Sequence, residues 1–317
     1  MRVLALVPGD ISEQLLFLPT LERLKQAYPS AAFVVAVEPR AKAAYSVSKL
    51  VNDVIVFDYQ AANSPADWAN LLGILRDREF EVALCASPRW EEGVLLWLSG
   101  IPTRITDSRT RTPWLYSQVV SASSSVYPGD RYRALLSGLK IDLAKGTTGE
   151  LNVPEADLSW ADAQRDALGL KDGYVMIYPE SDSTAAYPTD SWLKIIEDFQ
   201  TKQPQMALAL LKDDASQAAV SDLSRQQQSL KVLTPENIGQ TAALLAGADL
   251  VLTPESYVMQ LAVSLKVFTL ALLGAGQASA ALPAVSGDPR FLGIQSPTAS
   301  LADLSPETVL QSVWGGS

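Results

Sequence analysis

The sequence predicts an α/β protein built from two doubly wound parallel sheets. Short apolar runs rich in β-branched residues alternate with segments of helical spacing along most of the 317 residues. Strands with such near-continuous apolar character are typical of a parallel sheet that helices cover on both faces. The length indicates two domains, because a single hydrophobic core stops growing near ~250–300 residues.

The first half contains four strand–helix repeats. Strands are predicted at Val3–Val7, Phe33–Val37, Val54–Phe57 and Val82–Ala86, with helices at Ser12–Gln26, Ala41–Leu50, Ala66–Arg78 and Glu92–Leu98. The alternation then fails between Thr106 and Val153, where the spacing indicates one helix near Tyr132–Leu139. Because Lys145–Pro154 has the composition of a linker, the predicted domains are residues 1–153 and 154–317.

The second half repeats the pattern. Strands are predicted at Tyr174–Tyr178, Ala207–Leu211, Leu230–Leu233, Leu250–Leu252 and Val267–Leu272. Helices are predicted near Ser159–Leu168, Thr189–Gln203, Ala215–Gln228, Asn237–Ala246, Ser256–Ser264 and Ser305–Val313, with Asn237 as an N-cap. Ligands of such sheets bind where strand carboxyl ends meet helix N-termini, so we expect two facing domains with the site in a cleft between them.

The composition excludes several chemistries. The chain has no His and one Cys, which removes imidazole catalysis, His-based metal sites, disulfides, zinc ribbons and iron–sulfur clusters. A net charge of −10 argues against nucleic-acid binding. We predict no metal and no cofactor. The apolar run Val3–Val7 is too short for a signal peptide, and the uncharged stretch Val267–Gly287 contains Gly and Pro and is unlike a membrane span, so we expect a soluble cytoplasmic protein. Cys85 is predicted to be a small buried hydrophobe. Most tryptophans fall on apolar helical faces and are predicted as core: Trp68, Trp90, Trp97, Trp160, Trp192 and Trp314.

Two polar segments that follow predicted strands are candidate sites. In Pro8–Glu13, Asp10 or Glu13 has the chemistry of a general base. The alternative is that Ser12 caps the helix while the acids complement its dipole. In Tyr178–Thr184, the hydroxyls suit phosphate oxygens but neighbouring acids oppose an anion, so a plain polar loop is the alternative.

Three further segments are candidates. Thr253–Tyr257 precedes a helix and reads either as a site or as a capped helix start. Leu273–Gln277 carries glycines that permit close approach to a diphosphate, although a lone GxG is weak evidence. The arginines near Trp114 could contact an anionic acceptor or a membrane surface. The alternative is that this segment is an ordinary solvent-exposed loop.

The chain resembles glycosyltransferase family 9, the heptosyltransferase-like proteins. The resemblance rests on the runs Phe17–Leu21 and Ile101–Arg104, on Tyr187-Pro188 followed by Trp192, on Gly247–Leu250, and on Met259–Ala262. It implies the GT-B architecture and a metal-independent, inverting transfer of a sugar from a nucleotide-sugar donor to a cell-envelope glycan or lipopolysaccharide acceptor. It also implies that the acceptor binds the N-terminal domain and that the donor binds the C-terminal domain. The protein is then expected to contact the inner face of the membrane at most peripherally.

The same resemblance implies the site residues. The base is Glu13, with Asp10 as the alternative. The donor side comprises Ser181, Ser183, Glu255, Ser256, Gln260 and Gly274, and the acceptor side comprises Arg104 and Arg109. Where the family carries His, His and Lys, this chain has Tyr178, Gln260 and Ala185. A second hypothesis is therefore a catalytically silent paralogue that binds a protein partner, and a third is an unrelated two-lobed sugar- or nucleotide-binding protein.

Overall fold

A computed structural model describes residues 1–87, 89–121, 127–142, 149–181, 186–274, 281–282 and 290–315. The chain divides into two units, Met1–Asn152 and Val153–Ser317. Each unit is an α/β layer structure with one six-stranded sheet, and every strand pairing in the described residues is parallel.

The sheet of the first unit has β1 near its centre, in the order β3-β2-β1-β4-β5-β6. Its strands are Arg2–Leu6 (β1), Ala32–Val37 (β2), Asp53–Val56 (β3), Val82–Cys85 (β4), Thr103–Asp107 (β5) and Gln118–Val120 (β6). Its α-helices are Ile11–Ala27 (α1), Pro65–Asp77 (α2), Trp90–Ser99 (α3) and Pro128–Ala134 (α4), with 3₁₀ helices at Pro39–Val47, Pro113–Leu115 and Leu135–Leu139. The strand order reverses beside β1, which is where such sheets bind ligands.

The second unit repeats this topology in the order β12-β11-β10-β7-β8-β9. Its strands are Tyr174–Ile177 (β7), Ala207–Leu211 (β8), Lys231–Leu233 (β9), Leu250–Pro254 (β10), Thr269–Leu273 (β11) and Phe291–Gln295 (β12). Its α-helices are Glu155–Leu168 (α5), Thr189–Lys202 (α6), Gln217–Gln226 (α7), Ile238–Ala246 (α8), Tyr257–Ser264 (α9) and Pro306–Trp314 (α10). A 3₁₀ helix lies at Leu301–Asp303. The order reverses between β7 and β10.

The central strands are apolar on both faces because helices cover both sides of each sheet. Leu4 and Leu6 of β1 and Ile177 of β7 are fully buried. The core of the second unit includes Trp192, which has no exposed surface, as the sequence predicted. Cys85 is likewise completely buried, and burial raises the pKa of its thiol to about 12, so it is an inert core residue.

The sequence prediction missed three strands, and it did not foresee that one predicted helix is a 3₁₀ helix. Thr103–Asp107 and Gln118–Val120 lie in or beside the segment predicted to be irregular, and Phe291–Gln295 was not predicted. Gln118–Val120 and Phe291–Gln295 are edge strands with one neighbour each, and Thr103–Asp107 is the strand next to an edge, so polar residues are tolerated there. The segment predicted as a helix at Ala41–Leu50 is the 3₁₀ helix Pro39–Val47.

The core prediction is wrong for two tryptophans. Trp90 is 59% exposed and Trp97 is 55% exposed on α3. This helix is apolar on nearly every side, so the spacing of its residues does not reveal which side packs against the sheet. In the structure, Leu95 and Leu96 are the residues that pack into the core. Trp90 instead lines a groove of about 290 Å³ between α2 and α3.

No helix in the described ranges combines the length and apolar character needed to cross a bilayer.

Candidate functional site

The first candidate site lies at the carboxyl end of β1, where the chain turns into α1. Gly9 makes this turn with φ of +125°, a backbone conformation that L side chains rarely adopt. A Cβ atom at Gly9 would also lie 2.6 Å from Cγ of Glu13. The turn therefore requires glycine, and it brings the Glu13 side chain across the backbone.

Asp10 is the N-cap of α1. Its Oδ1 atom accepts hydrogen bonds from the backbone N–H groups of Ser12 at 2.8 Å and Glu13 at 3.3 Å. The alternative in which Ser12 caps the helix is therefore wrong, because the first helical residue is Ile11 and the cap must precede it. The Asp10 carboxylate serves the helix start.

Glu13 lies in the first turn of α1 but does not cap its own helix. Its Oε2 atom accepts a hydrogen bond from the hydroxyl of Tyr132 on α4, 119 residues away. The Tyr132 ring packs edge-on against Phe17, one turn further along α1, with 5.6 Å between ring centroids. Burial, with a contribution from Glu13, raises the pKa of Tyr132 above its ordinary value. The hydroxyl thus stays protonated and donates at neutral pH.

Arg109 lies close to this pair. Its Nε atom is 2.9 Å from both carboxylate oxygens of the buried Asp107, at the end of β5. The hydrogen bond to Asp107 raises the pKa of Arg109, and Tyr132 and Glu13 add to the shift electrostatically. The structure thus brings together Glu13 and Arg109 of the predicted site residues. Sequence reasoning missed Tyr132 and Asp107, since no local pattern links positions so far apart.

Arg104 is differently placed. Its Nε atom donates to the carbonyl oxygen of Leu115 at 2.9 Å, and its Nη1 atom donates to the carbonyl oxygen of Ile101. The guanidinium group therefore ties β5 to the chain segments on either side of it, rather than contacting Glu13.

The second candidate site lies at the carboxyl edge of the sheet in the second unit. Asp213, which follows β8, accepts hydrogen bonds on Oδ2 from the hydroxyls of Tyr178 at 2.9 Å and Tyr257 at 2.8 Å. Its Oδ1 atom accepts from the backbone N–H and the hydroxyl of Ser216, both at 2.9 Å. Four donors thus hold one carboxylate between the ends of β7 and β8 and the start of α9.

This edge of the second unit is acidic. Burial raises the pKa of the Tyr178 and Tyr257 phenols above their ordinary values, and Asp213 and Glu180 add to the shift. Glu255 lies just before α9, and partial burial of its carboxyl group raises its pKa, although other parts of the residue are exposed to solvent. A diphosphate at this edge would face these carboxylates. Sequence reasoning missed Asp213, which follows β8 without a recognisable motif.

The predicted donor-side residues mostly bond within their own unit. The Ser181 hydroxyl donates to the carbonyl oxygen of Ala215 at 3.0 Å. Ser256 is the N-cap of α9 and accepts from the Met259 N–H at 3.3 Å. Gln260 donates from Nε2 to the carbonyl oxygen of Ala281 at 3.3 Å. A Cβ at Gly274 would lie 2.8 Å from the carbonyl oxygen of Ala299.

Ser183 lies outside the described residues, as do Ala185 and Gly276. Within the described ranges, no group of three His, Cys, Asp or Glu residues is placed to hold a metal ion.

Comparison with known proteins identifies relatives across the whole chain. The model of glycosyltransferase family 9 (heptosyltransferase) matches residues 68–288. A family 9 glycosyl transferase from Veillonella parvula superposes with a TM-score of 0.86 at 14% identity, covering 99% of this chain and 96% of the other.

Two Escherichia coli heptosyltransferases share the fold. WaaC, determined with ADP, gives a TM-score of 0.77 at 17% identity over 100% of both chains. The ADP-heptose LPS heptosyltransferase II gives 0.79 at 18% identity over 99% of this chain and 98% of the other.

A curated relative is the Arabidopsis thaliana protein "Photosynthetic NDH subunit of subcomplex B 1, chloroplastic". It is 25% identical over 138 residues, which make up 42% of this chain and only 28% of that protein. The family match, by contrast, spans more than half of the chain, and the structural matches span nearly all of it. The chain therefore belongs to glycosyltransferase family 9 and has the two-domain α/β fold of the GT-B type.

Proposed function

We propose that this chain transfers a sugar from a nucleotide-sugar donor to a hydroxyl group of a cell-envelope glycan or lipopolysaccharide acceptor. The observation that supports this most is the placement of Glu13. Its Oε2 atom is held by Tyr132, while its Oε1 atom has no hydrogen-bond partner among the residues that the structure describes. A carboxylate with one oxygen anchored and the other available suits a general base.

In the proposed reaction, Glu13 takes the proton of the acceptor hydroxyl through Oε1. The acceptor oxygen bonds to the anomeric carbon of the donor, and the bond from that carbon to the diphosphate breaks. The electron pair leaves with the nucleoside diphosphate, and attack from the opposite face inverts the anomeric centre. No metal or cofactor takes part in this proposal.

On the donor side, the proposal places the diphosphate at the start of α9, where backbone N–H groups and the helix dipole favour an anion. The donor-side positions remain Ser181, Ser183, Glu255, Ser256, Gln260 and Gly274. Arg109 and Arg104, five residues apart, are proposed to contact an anionic acceptor. We propose that the protein works in the cytoplasm, at most peripherally on the inner face of the membrane.

The first test is nucleotide binding. ADP is the natural probe, since the E. coli relative WaaC was determined with ADP and with ADP-2-deoxy-2-fluoro heptose. ADP, UDP, GDP and their sugars are titrated in a thermal-shift assay, and we expect at least one to raise the Tm at millimolar concentration. If none does, the proposed transferase activity fails.

The second test is Glu13→Gln with the bound donor. We expect binding to remain and transfer to fall by about 10²-fold or more, because the amide cannot accept the acceptor proton. Glu79→Gln, an exposed change in the same unit, serves as the matched control and keeps transfer. Full transfer by Glu13→Gln would show that another group is the base.

A second candidate function is a catalytically silent binding subunit. Two observations favour it. The edge of the second unit is acidic, and there the hydroxyls of Tyr178 and Tyr257 donate hydrogen bonds to Asp213. In addition, the name of the Arabidopsis relative describes a subunit of a subcomplex. The exposed Trp90 and Trp97 give the first unit an aromatic surface for a protein partner.

The two functions are separated by one pair of measurements. The silent subunit predicts no Tm change with any nucleotide and a native mass in cell extract above that of the isolated 34.1 kDa chain. A nucleotide-dependent Tm increase together with a chain that runs alone in extract favours the transferase.

A further inference from the structure

We infer that Tyr132 is a positioning residue that sets the direction of the Glu13 carboxylate. The inference rests on the proposed function of Glu13 as a base, and it assigns a role to a residue that the family resemblance does not supply. It is carried by the contacts that α1 and α4 make with each other.

The hydrogen bond from Tyr132 uses one carboxylate oxygen and leaves the other open. Glu13 Oε2 accepts from the Tyr132 hydroxyl, and Oε1 has no partner in the described part of the chain. Since the two oxygens of a carboxylate are rigidly coplanar, fixing one of them fixes the direction of the other. Glu13 also lies over Gly9, whose missing side chain leaves room for Cβ and Cγ.

The phenol is itself held in place. Its ring packs against Phe17, which lies four residues after Glu13 and thus on the same face of α1. One tyrosine therefore covers two successive turns of the helix. A side chain that is fixed at both its ring and its hydroxyl orients its partner with little loss of conformational entropy at the moment of reaction.

Arg109 completes the arrangement electrostatically. Asp107 holds the guanidinium group through Nε at 2.9 Å, so its charge has a fixed position near Glu13 and Tyr132. A cation held at this point attracts the negative charge of the Glu13 carboxylate.

The chain offers a matched control. The hydroxyl of the buried Tyr45 donates to Oε1 of Gln14 at 2.8 Å, so a second tyrosine bonds to the neighbouring residue of α1. Tyr45→Phe removes the same kind of hydrogen bond to the same helix without touching Glu13. It therefore reports what a purely structural loss does.

The experiment compares Tyr132→Phe, Tyr45→Phe and the unaltered full chain. Glutamate carboxyl carbons are labelled with ¹³C, and the Glu13 signal is assigned by its loss in Glu13→Gln. In Tyr132→Phe we expect the chemical shift of this signal at neutral pH to change, because the carboxylate loses the hydrogen bond from the phenol. In Tyr45→Phe the signal stays in place.

Transfer is measured in parallel. We expect Tyr132→Phe to lower kcat about tenfold and to leave the donor KM unchanged, because the carboxylate is no longer held in one direction. An unmoved Glu13 signal in Tyr132→Phe overturns the inference, and so does an equal change of that signal in Tyr45→Phe. If the unaltered chain shows no transfer but the signal moves only in Tyr132→Phe, the contact stands and the proposed activity fails.

Discussion

At the scale of single residues, the first unit buries acids that are not fully paired. Glu38, directly after β2, is 2% exposed, and its Oε1 atom has no hydrogen-bond partner in the described residues. Burial raises the pKa of its carboxyl to about 6, and the neighbouring Asp58 adds to the shift. Burial likewise raises the pKa of Glu92 on α3, so the ionised forms of both acids are disfavoured in the folded protein.

This burial predicts a pH dependence of stability. Because the folded-state pKa of Glu38 lies above its unfolded value near 4.5, the folded protein binds the extra proton. The contribution of Glu38 to the free energy of unfolding is complete below about pH 4.5 and is lost as the pH rises through about 6. The loss amounts to about 2 kcal/mol.

Denaturant unfolding at several pH values measures the effect. Glu38→Gln is expected to flatten the decline in unfolding free energy between pH 4.5 and pH 6, since the amide does not titrate. The exposed Glu79→Gln is expected to leave that slope unchanged. Identical slopes in Glu38→Gln and the unaltered chain would show that Glu38 is not the titrating group.

At the scale of elements, the start of α1 has two tasks, which fall to different acids. Asp10 satisfies backbone N–H groups of the first turn, and Glu13, three residues later, contacts α4. From the sequence alone, Asp10 and Glu13 are alternative candidates for the general base, because both follow the end of the same strand. Only the path of the chain through Gly9 distinguishes the helix cap from the acid that bonds to another element.

The cap assignment predicts different effects of two substitutions at one position. Asp10→Ala is expected to lower the free energy of unfolding by about 1 kcal/mol, whereas Asp10→Asn keeps the cap and nearly full stability. Asp10→Asn is also expected to keep transfer. Loss of transfer in a stable Asp10→Asn protein would make Asp10 the base. Ser305→Ala, which removes the N-cap of α10, is the control for a cap in the other unit.

The elements that sequence reasoning missed share a physical cause. The strands Thr103–Asp107 and Gln118–Val120 carry Arg, Thr, Asp or Gln, so no continuous apolar run marks them. They form because parallel neighbours accept their backbone hydrogen bonds, as in the pairing of Ile105 with Leu84. Strand formation at a sheet edge depends on that neighbour more than on local propensity.

At the scale of the whole molecule, charge is the dominant property. The net charge of −10 is spread over 317 residues, and the second unit has carboxylates at the edge where the proposed function places the nucleotide. A field of this sign opposes an anionic ligand from a distance, while helix N-termini favour it only at contact.

The electrostatic field of these negative charges predicts how salt affects the affinity for ADP. Raising ionic strength from about 20 to 300 mM screens the repulsion, so we expect the affinity for ADP to rise by roughly threefold. Uncharged adenosine, measured in the same titration calorimetry series, is expected to show no change. An affinity for ADP that falls with salt would reveal a cationic phosphate site and contradict the prediction.

Much of the architecture can be read from the sequence. The apolar runs of β1, β2 and β4 and the caps at Asn237 and Ser305 are local patterns, so spacing and residue type suffice to predict them. The missing histidines exclude imidazole chemistry without any structure. The site is different, because it depends on contacts between residues far apart in the chain.

What the sequence by itself determined was the class of fold, the family resemblance and the set of polar segments at strand ends. The tertiary structure alone decided which acids meet which partners. Glu13 pairs with Tyr132 across 119 residues, and Asp213 joins Tyr178 and Tyr257 from 35 and 44 residues away. The physical reason is that strand order, not sequence order, brings these chain segments to one edge of a sheet, and no local pattern encodes that order.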